Sequence, residues 1–369
     1  MVGPVIDPER FLEFTFFRGR VALAAALRAL GIGRGDYVAI QAFTCVAVPE
    51  AVIAVGATPV YVDIDPATLG MSPESLQSRL DSKVRAVVVQ HTFGVPADIA
   101  RLADIARSAG IPLIEDCCHT LFSSVDGRLV GSFGVATFYS WEWGKPIIAG
   151  TGGSLVVNDS TLRDRVTGIY SEFAEPSKLR QLRISLQRFV HGVLYRPALY
   201  QQIRRLYRLT SDLKLVEGSY NTLDPQKVSS DFAMRMGKRQ SARLAVELQN
   251  VESDVSMRRE LAGVYRRALQ TTSVRLLPQM SGREAVMARY PVLVDDKAAA
   301  LARASERGME LSGWYETVVH PLAGGDLRLM SYEVGSCPYA ERAAGEIVTL
   351  PINKRVTTRD VERAGDLFH

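Results

Sequence analysis

Cysteine is scarce in this 369-residue chain: there are four, and none falls at zinc-ligand spacing. Cys117 and Cys118 are adjacent, which makes them poor partners for a disulfide with each other. A disulfide-stapled secreted scaffold and a structural zinc site are therefore not expected, no metal ligands are nominated, and the cysteine usage fits a reducing cytoplasm. Long apolar runs are missing too, since no stretch approaches the roughly 18 uninterrupted apolar residues of a membrane span. Asp7, Glu9 and Arg10 precede any apolar run, so no signal peptide is expected. Neither sign of charge dominates. Lys and Arg number 44 against 40 Asp and Glu, a formal net charge of +4 that gives no reason to expect nucleic acid.

What remains is ordinary globular composition, 47% hydrophobic and 23% charged, with chain enough for two domains or one large unit and an appendage. From Arg20 to about residue 160 helical and strand patterns alternate. RVALAAALRAL (20–30) predicts a helix closed by Gly31, 46–55 a second, 73–80 a third and 98–109 a fourth. Between them YVAIQAF (37–43), PVYVDID (59–65), AVVVQH (86–91), IPLIED (111–116), ATFYS (136–140) and GSLVVN (153–158) read as strands. Near-continuous apolar strands between helices predict an α/β fold, a mainly parallel sheet with helices on both faces. GIGRG (31–35) imitates a dinucleotide fingerprint, but its spacing is wrong and it precedes a strand, so a turn is expected. A long helical stretch is expected over about 230–269. A strand at 289–294 with helices at 297–307 and 338–346 then predicts a smaller α+β C-terminal domain.

In an open parallel sheet, ligands collect at the carboxyl ends of the strands. Asp116 ends one strand with His119 three residues on, Lys145 follows another inside SWEWGK, and the glycine-rich turn GTGG (150–153) leads into the next. A lysine, a strand-end aspartate and a backbone-donor loop suit pyridoxal 5'-phosphate: the lysine bonds to it and the carboxylate keeps its pyridine nitrogen protonated.

The same residues resemble the DegT/StrS family of sugar aminotransferases. The resemblance runs through VGATPVYVDIDPATL, HTFGVPADI, IPLIEDCCH, DGRLVGSFGVATFYS, Lys145 and GTGGSLVVND. It resumes in RMGKRQSARLAVELQNVESDVSMRRELAGVYRRAL and in the closing CPYAERAAGEIVTLPINKRVTTRDVERA, sparing only about 165–228. It implies a type I pyridoxal-phosphate aminotransferase fold and a homodimer with shared active sites. It also implies transfer of an amino group, usually from glutamate, to a keto sugar carried on a nucleotide. Under it Lys145 carries the cofactor, Asp116 faces the pyridine nitrogen, His119 lies near the phenolic oxygen and Ser140 binds phosphate. Alternatives are a pyridoxal-phosphate enzyme acting on a non-sugar ketone and a non-catalytic binding or regulatory descendant.

Departures from the family pattern fall around the cofactor. Its phosphate turn, Ser-Gly-Thr, reads Arg18-Gly19-Arg20 here, so that an arginine and a helix N-terminus would meet the phosphate, or else the arginines are ordinary surface cations. Cys45 stands where an aromatic commonly stacks on the ring. Ala233-Met234-Arg235-Met236 replaces Asn-Tyr-Arg-Met, which keeps Arg235 and loses the asparagine that reaches the partner subunit's phosphate. Trp141 and Trp143 flank Glu142, and core packing is the commoner fate of such residues; Cys117 and Cys118 read as small buried hydrophobes.

The chain divides by this reading into a cofactor domain (1–250), with a basic helical insertion at about 165–228, and a small domain (251–369). From Lys178 to Arg208 the segment holds eight Lys and Arg and no acidic residue. Leu179, Leu182, Leu186, Phe189, Val190 and Val193 recur there at helical spacing, and Pro197 is expected to divide the region. Two readings stay open for it: an arm packed on its own dimer, or one that touches an anionic membrane surface.

Overall fold

The computed structural model describes residues 7–194 and 229–368. Seven strands form the main sheet: β1 (Phe14–Phe16), β2 (Tyr37–Gln41), β3 (Thr58–Val62), β4 (Val84–Gln90), β5 (Leu113–Asp116), β6 (Ala136–Ser140) and β7 (Gly153–Val157). Their order is β3-β2-β4-β5-β6-β7-β1. β2 through β6 run parallel, while β7 is antiparallel to both β6 and β1. Helices α1 (Gly19–Ala29), α2 (Ala47–Ala54), α3 (Pro73–Arg79), α4 (Ile99–Ser108) and α5 (Ser160–Ser171) connect or cover these strands. Two large apolar clusters lie on them, one built around α1 and α2 and the other around α4.

All of α1 is buried except Arg28, because its alanines let the sheet, α2 and α5 approach closely while favouring helix. Gly31 follows its C-cap at φ 76°, where a Cβ would strain the backbone. The expected strand 59–65 stops at Val62 because Asp63 has another task. Its carboxylate accepts the Tyr339 and Ala340 N–H groups at 3.0 and 2.9 Å, capping the distant helix α10 (Pro338–Glu346).

The expected helical stretch 230–269 is not one helix. After a 3-10 turn at Ser230–Ala233, Met234 and Arg235 are drawn into extended bridges with Ala174 and Phe16. Helix α7 (Lys238–Leu248) begins after Gly237, and α8 (Val251–Leu269) begins after Asn250, whose φ of −106° breaks the helical path. α5 runs unbroken through residue 165 with Val166 buried. α6 (Lys178–Leu194) follows, and the expected break at Pro197 lies outside the described residues.

An antiparallel sheet of β8 (Arg275–Leu276), β9 (Arg289–Leu293) and β10 (Ile347–Pro351) makes a third core with α8, α9 (Lys297–Glu306) and α11 (Thr358–Gly365). Tyr315, Val319, Tyr332 and Ala340 do not join it. They pack instead into the cluster around α1 and α2, which brings residues 314 and 315 over the strand ends.

Candidate active site

Sheet register decides which side chains share the site. Gln90, Asp116 and Phe138 are direct neighbours across β4, β5 and β6, so all three point to one face. They line a cavity at the carboxyl ends together with Ser140, two residues beyond Phe138. The alternation sends Glu115 to the opposite face, where it is fully buried. There its carboxylate accepts the N–H groups of Gly131, Phe133 and Gly134 at 2.6–2.9 Å and meets His91 Nε2 at 3.2 Å. His91, Glu115 and Cys117 lie close enough together to suggest a metal site, but these hydrogen bonds give the carboxylate a structural role. The adjacent acids Glu115 and Asp116 therefore serve different ends: one braces a loop and the other faces the cavity.

Asp116 is buried and accepts the Cys118 N–H at 2.9 Å. Burial raises its pKa above the usual carboxylate value, although the hydrogen bonds from Cys118 and the proximity of Lys145 pull the other way. A buried acid in this state is completed by a cation held against it.

Lys145 stands on the loop between β6 and β7, closed by the hydrogen bond from Ala149 N–H to Trp141 C=O at 2.9 Å. Gly144, at φ 75°, makes the left-handed turn that precedes it. The Lys145 ammonium lies 5.1 Å from the centre of the Trp314 ring. A buried arginine on α8 secures this loop from behind. Arg258 pairs with Asp254 at 2.6 Å and donates to the carbonyls of Pro146 (2.9 Å) and Ile352 (3.0 Å), joining the lysine loop to the C-terminal segment.

His119 is buried between Phe93, Trp314 and Tyr315. Its Nδ1 accepts the Phe93 N–H at 3.1 Å, which leaves Nε2 carrying the proton toward Tyr315 Oη at 3.3 Å. Burial, reinforced by Lys145, holds its pKa well below the ordinary histidine value, so this imidazole is neutral.

The first two residues of α1, Gly19 and Arg20, also line the cavity and give it a helix N-terminus. They come this close because two glycines meet. A Cβ on Gly153 would lie 2.5 Å from Gly19 Cα, and one on Gly19 would lie 3.1 Å from Ser140 Cβ. The backbone has no room to yield, so Gly153→Ala is expected to destabilise the protein by about 1–3 kcal/mol and to loosen the anion site. Urea unfolding and a phosphate-binding titration measure the two effects. Unchanged values in both would show that the strand and helix can separate without cost.

Of the residues nominated from the sequence, Lys145, Asp116, His119, Ser140, Gly19, Arg20 and Cys45 border this one cavity. Arg235 does not. It pairs with Glu175 at 3.2 Å, and its Nε is buried without a partner among the described residues. The arginines flanking Gly19 are not loose surface cations: buried Arg18 bonds Glu142 and Asp231, and Arg20 bonds Glu50. Trp141 is core, donating to Ser154 Oγ at 2.8 Å, whereas Trp143 lines the cavity. Cys117 is buried as expected, but Cys118 also borders the cavity. Trp314 and Tyr315 were missed because nothing in their local sequence connects them with Lys145, some 170 residues earlier. Gln90 was legible: it ends a parallel strand beside the one that ends in Asp116.

This sheet, with a lysine loop, a strand-end acid and a helix N-terminus around one cavity, defines a pyridoxal-phosphate enzyme of fold type I. The chain belongs to the DegT/DnrJ/EryC1/StrS aminotransferase family, which it matches over residues 14–368. It is 26% identical to a UDP-N-acetyl-3-dehydro-alpha-D-glucosamine 3-aminotransferase of Acidithiobacillus ferrooxidans, over 94% of this chain and 80% of that protein. It is 27% identical to a pleiotropic regulatory protein of Geobacillus stearothermophilus, over 90% of this chain and 78% of the relative. Among solved structures, the aminotransferase TlmJ of Streptoalloteichus hindustanus superposes with a TM-score of 0.70 at 26% identity, covering 96% of this chain and 84% of its own. The chain is thus an aminotransferase, and its cofactor is pyridoxal phosphate. The residues present fit that group, since buried Asp116 calls for a cation and the α1 N-terminus for an anion.

Proposed function

We propose that this aminotransferase takes an amino group from an amino acid, glutamate foremost, and places it on the keto carbon of a nucleotide-linked sugar. The convergence of Lys145, Asp116 and His119 on one cavity supports the amino transfer. Similarity along nearly the whole chain to an enzyme named for a UDP-linked keto sugar supports the substrate class. When bound, the cofactor supplies an electron sink for the carbon that loses its proton.

The chain's own residues do the rest. Asp116 would set its negative charge against the pyridine nitrogen, the α1 N-terminus and Ser140 would hold the phosphate, and neutral His119 would lie near the ring oxygen. Cys45 borders the ring. Lys145 would hold the cofactor covalently, and its amine would serve as the base that takes the proton from the donor's α-carbon. Trp314, Tyr315 and Phe93 exclude water from this exchange. A homodimer in the cytoplasm completes the reading, and the position of Arg235 off its own subunit's cavity suits a residue that serves a neighbour.

A donor and acceptor panel tests the proposal. Glutamate, glutamine and alanine are each mixed with the loaded enzyme, and loss of the cofactor's visible absorbance is followed. The aminated enzyme then meets 3-keto and 4-keto UDP- and TDP-sugars, with an inosose as the non-sugar ketone, and products are weighed by mass spectrometry. Amination of a nucleotide sugar is expected. Turnover confined to the inosose would overturn the sugar assignment, and no response to any donor would overturn the donor class.

A further inference from the structure

Helix α6 presents two opposed faces, and only one belongs to the protein's core. The inner face holds buried Ile184 against Gly150, while buried Gln181 accepts from Gln240 Nε2 at 3.1 Å and from Arg239 N–H at 3.3 Å. His191 lies 4.7 Å, ring to ring, from Trp143. The outer face carries Leu179, Leu182, Leu186, Phe189, Val190 and Val193, between 43% and 68% exposed. From Leu179 these fall at i, i+3, i+7, i+10, i+11 and i+14, a single stripe along a 17-residue helix of about 25 Å. Exposed apolar side chains gathered this densely mark a contact surface.

The charges beside the stripe select its partner. α6 contains Lys178, Arg180, Arg183 and Arg188 and no acidic residue. Lys178 and Arg183 are exposed next to the stripe. Two copies of α6 laid face to face in parallel would set these cations against one another. An apolar stripe bordered by lysine and arginine is instead the pattern of a helix lying in the plane of an anionic bilayer, side chains in the acyl boundary and cations among the headgroups. No described helix is long and apolar enough to cross a membrane. We infer that α6 docks the enzyme peripherally on an anionic lipid surface through its Leu/Phe/Val stripe and flanking cations.

The test is flotation of the full-length holoenzyme with vesicles of phosphatidylcholine alone and of phosphatidylcholine with phosphatidylglycerol, across a salt series. Two variants accompany it: Leu186→Ser/Phe189→Ser in the stripe and Lys178→Glu/Arg183→Glu beside it. Neither touches the cavity, so both should retain amino transfer, which verifies their fold. Wild type is expected to float with anionic vesicles at least about tenfold better than with neutral ones. Added salt should weaken that binding, and each variant should lose most of it. No flotation at low salt, equal flotation with both vesicle types, or wild-type flotation of the stripe variant would overturn the inference. So would a smaller vesicle-free assembly in the stripe variant, because a second copy would then be covering the stripe.

Discussion

Lys145→Ala is expected to lower amino transfer by about a thousandfold or more, because under the proposed function it would remove both the covalent attachment and the group that moves the proton. Among the described residues the cavity offers no substitute: Lys145 is its one lysine, and the nearby Arg18 and Arg20 are held in ion pairs. The loop that carries it is closed at Trp141–Ala149 and tied to the C-terminal segment by Arg258, so truncation should leave the fold intact. The variant should still bind pyridoxal phosphate through the α1 N-terminus and Asp116, though without covalent capture. Borohydride reduction followed by peptide mapping checks the assignment directly. Cofactor fixed to any lysine other than Lys145, or a substantial rate in the alanine variant, would remove it from this role.

Asp116→Asn should slow proton removal from the amino donor by at least about a hundredfold, the usual scale for losing one preorganised electrostatic contact in a buried site. The change keeps the shape and the hydrogen bond from Cys118 while deleting the charge that, under the proposed function, would face the pyridine nitrogen. Burial already raises the Asp116 pKa, so the carboxylate depends on a cation beside it, and the pyridine nitrogen depends equally on the carboxylate. Single-turnover half-reactions with donor isolate this step from product release. A near-normal rate would mean that another group faces the nitrogen. Glu115→Gln serves as the contrast: it weakens a brace of three backbone N–H groups and should cost stability before it affects the half-reaction.

Much of this site could be read before any coordinates, for a definite reason. Strand ends in a parallel sheet share an edge, so residues just past IPLIED and ATFYS had to approach one another once both segments were recognised as neighbouring strands. Asp116, His119, Ser140 and Lys145 are all local to such ends. Glu115 and Asp116 remained a pair in sequence, and only the register row through Gln90, Asp116 and Phe138 separated cavity from brace. The arginines at 18 and 20 were equally ambiguous, because their carboxylate partners Glu142, Asp231 and Glu50 lie 30 to 213 positions away.

By itself, the sequence determined the helix and strand alternation, the family, the cofactor chemistry and the amphipathic period of residues 178–194. Each is a short-range pattern or an ordered set of motifs, and neither kind of information needs a third dimension. Tertiary structure alone decided that Trp314 and Tyr315 close over His119, that Arg258 grips the lysine loop, and that Asp63 leaves its strand to cap a helix some 275 residues later. It also decided that the stripe on α6 faces outward, since periodicity defines an apolar face but not the direction in which it turns. Those outcomes depend on which distant segments pack together, and packing is set by the shape of the whole core.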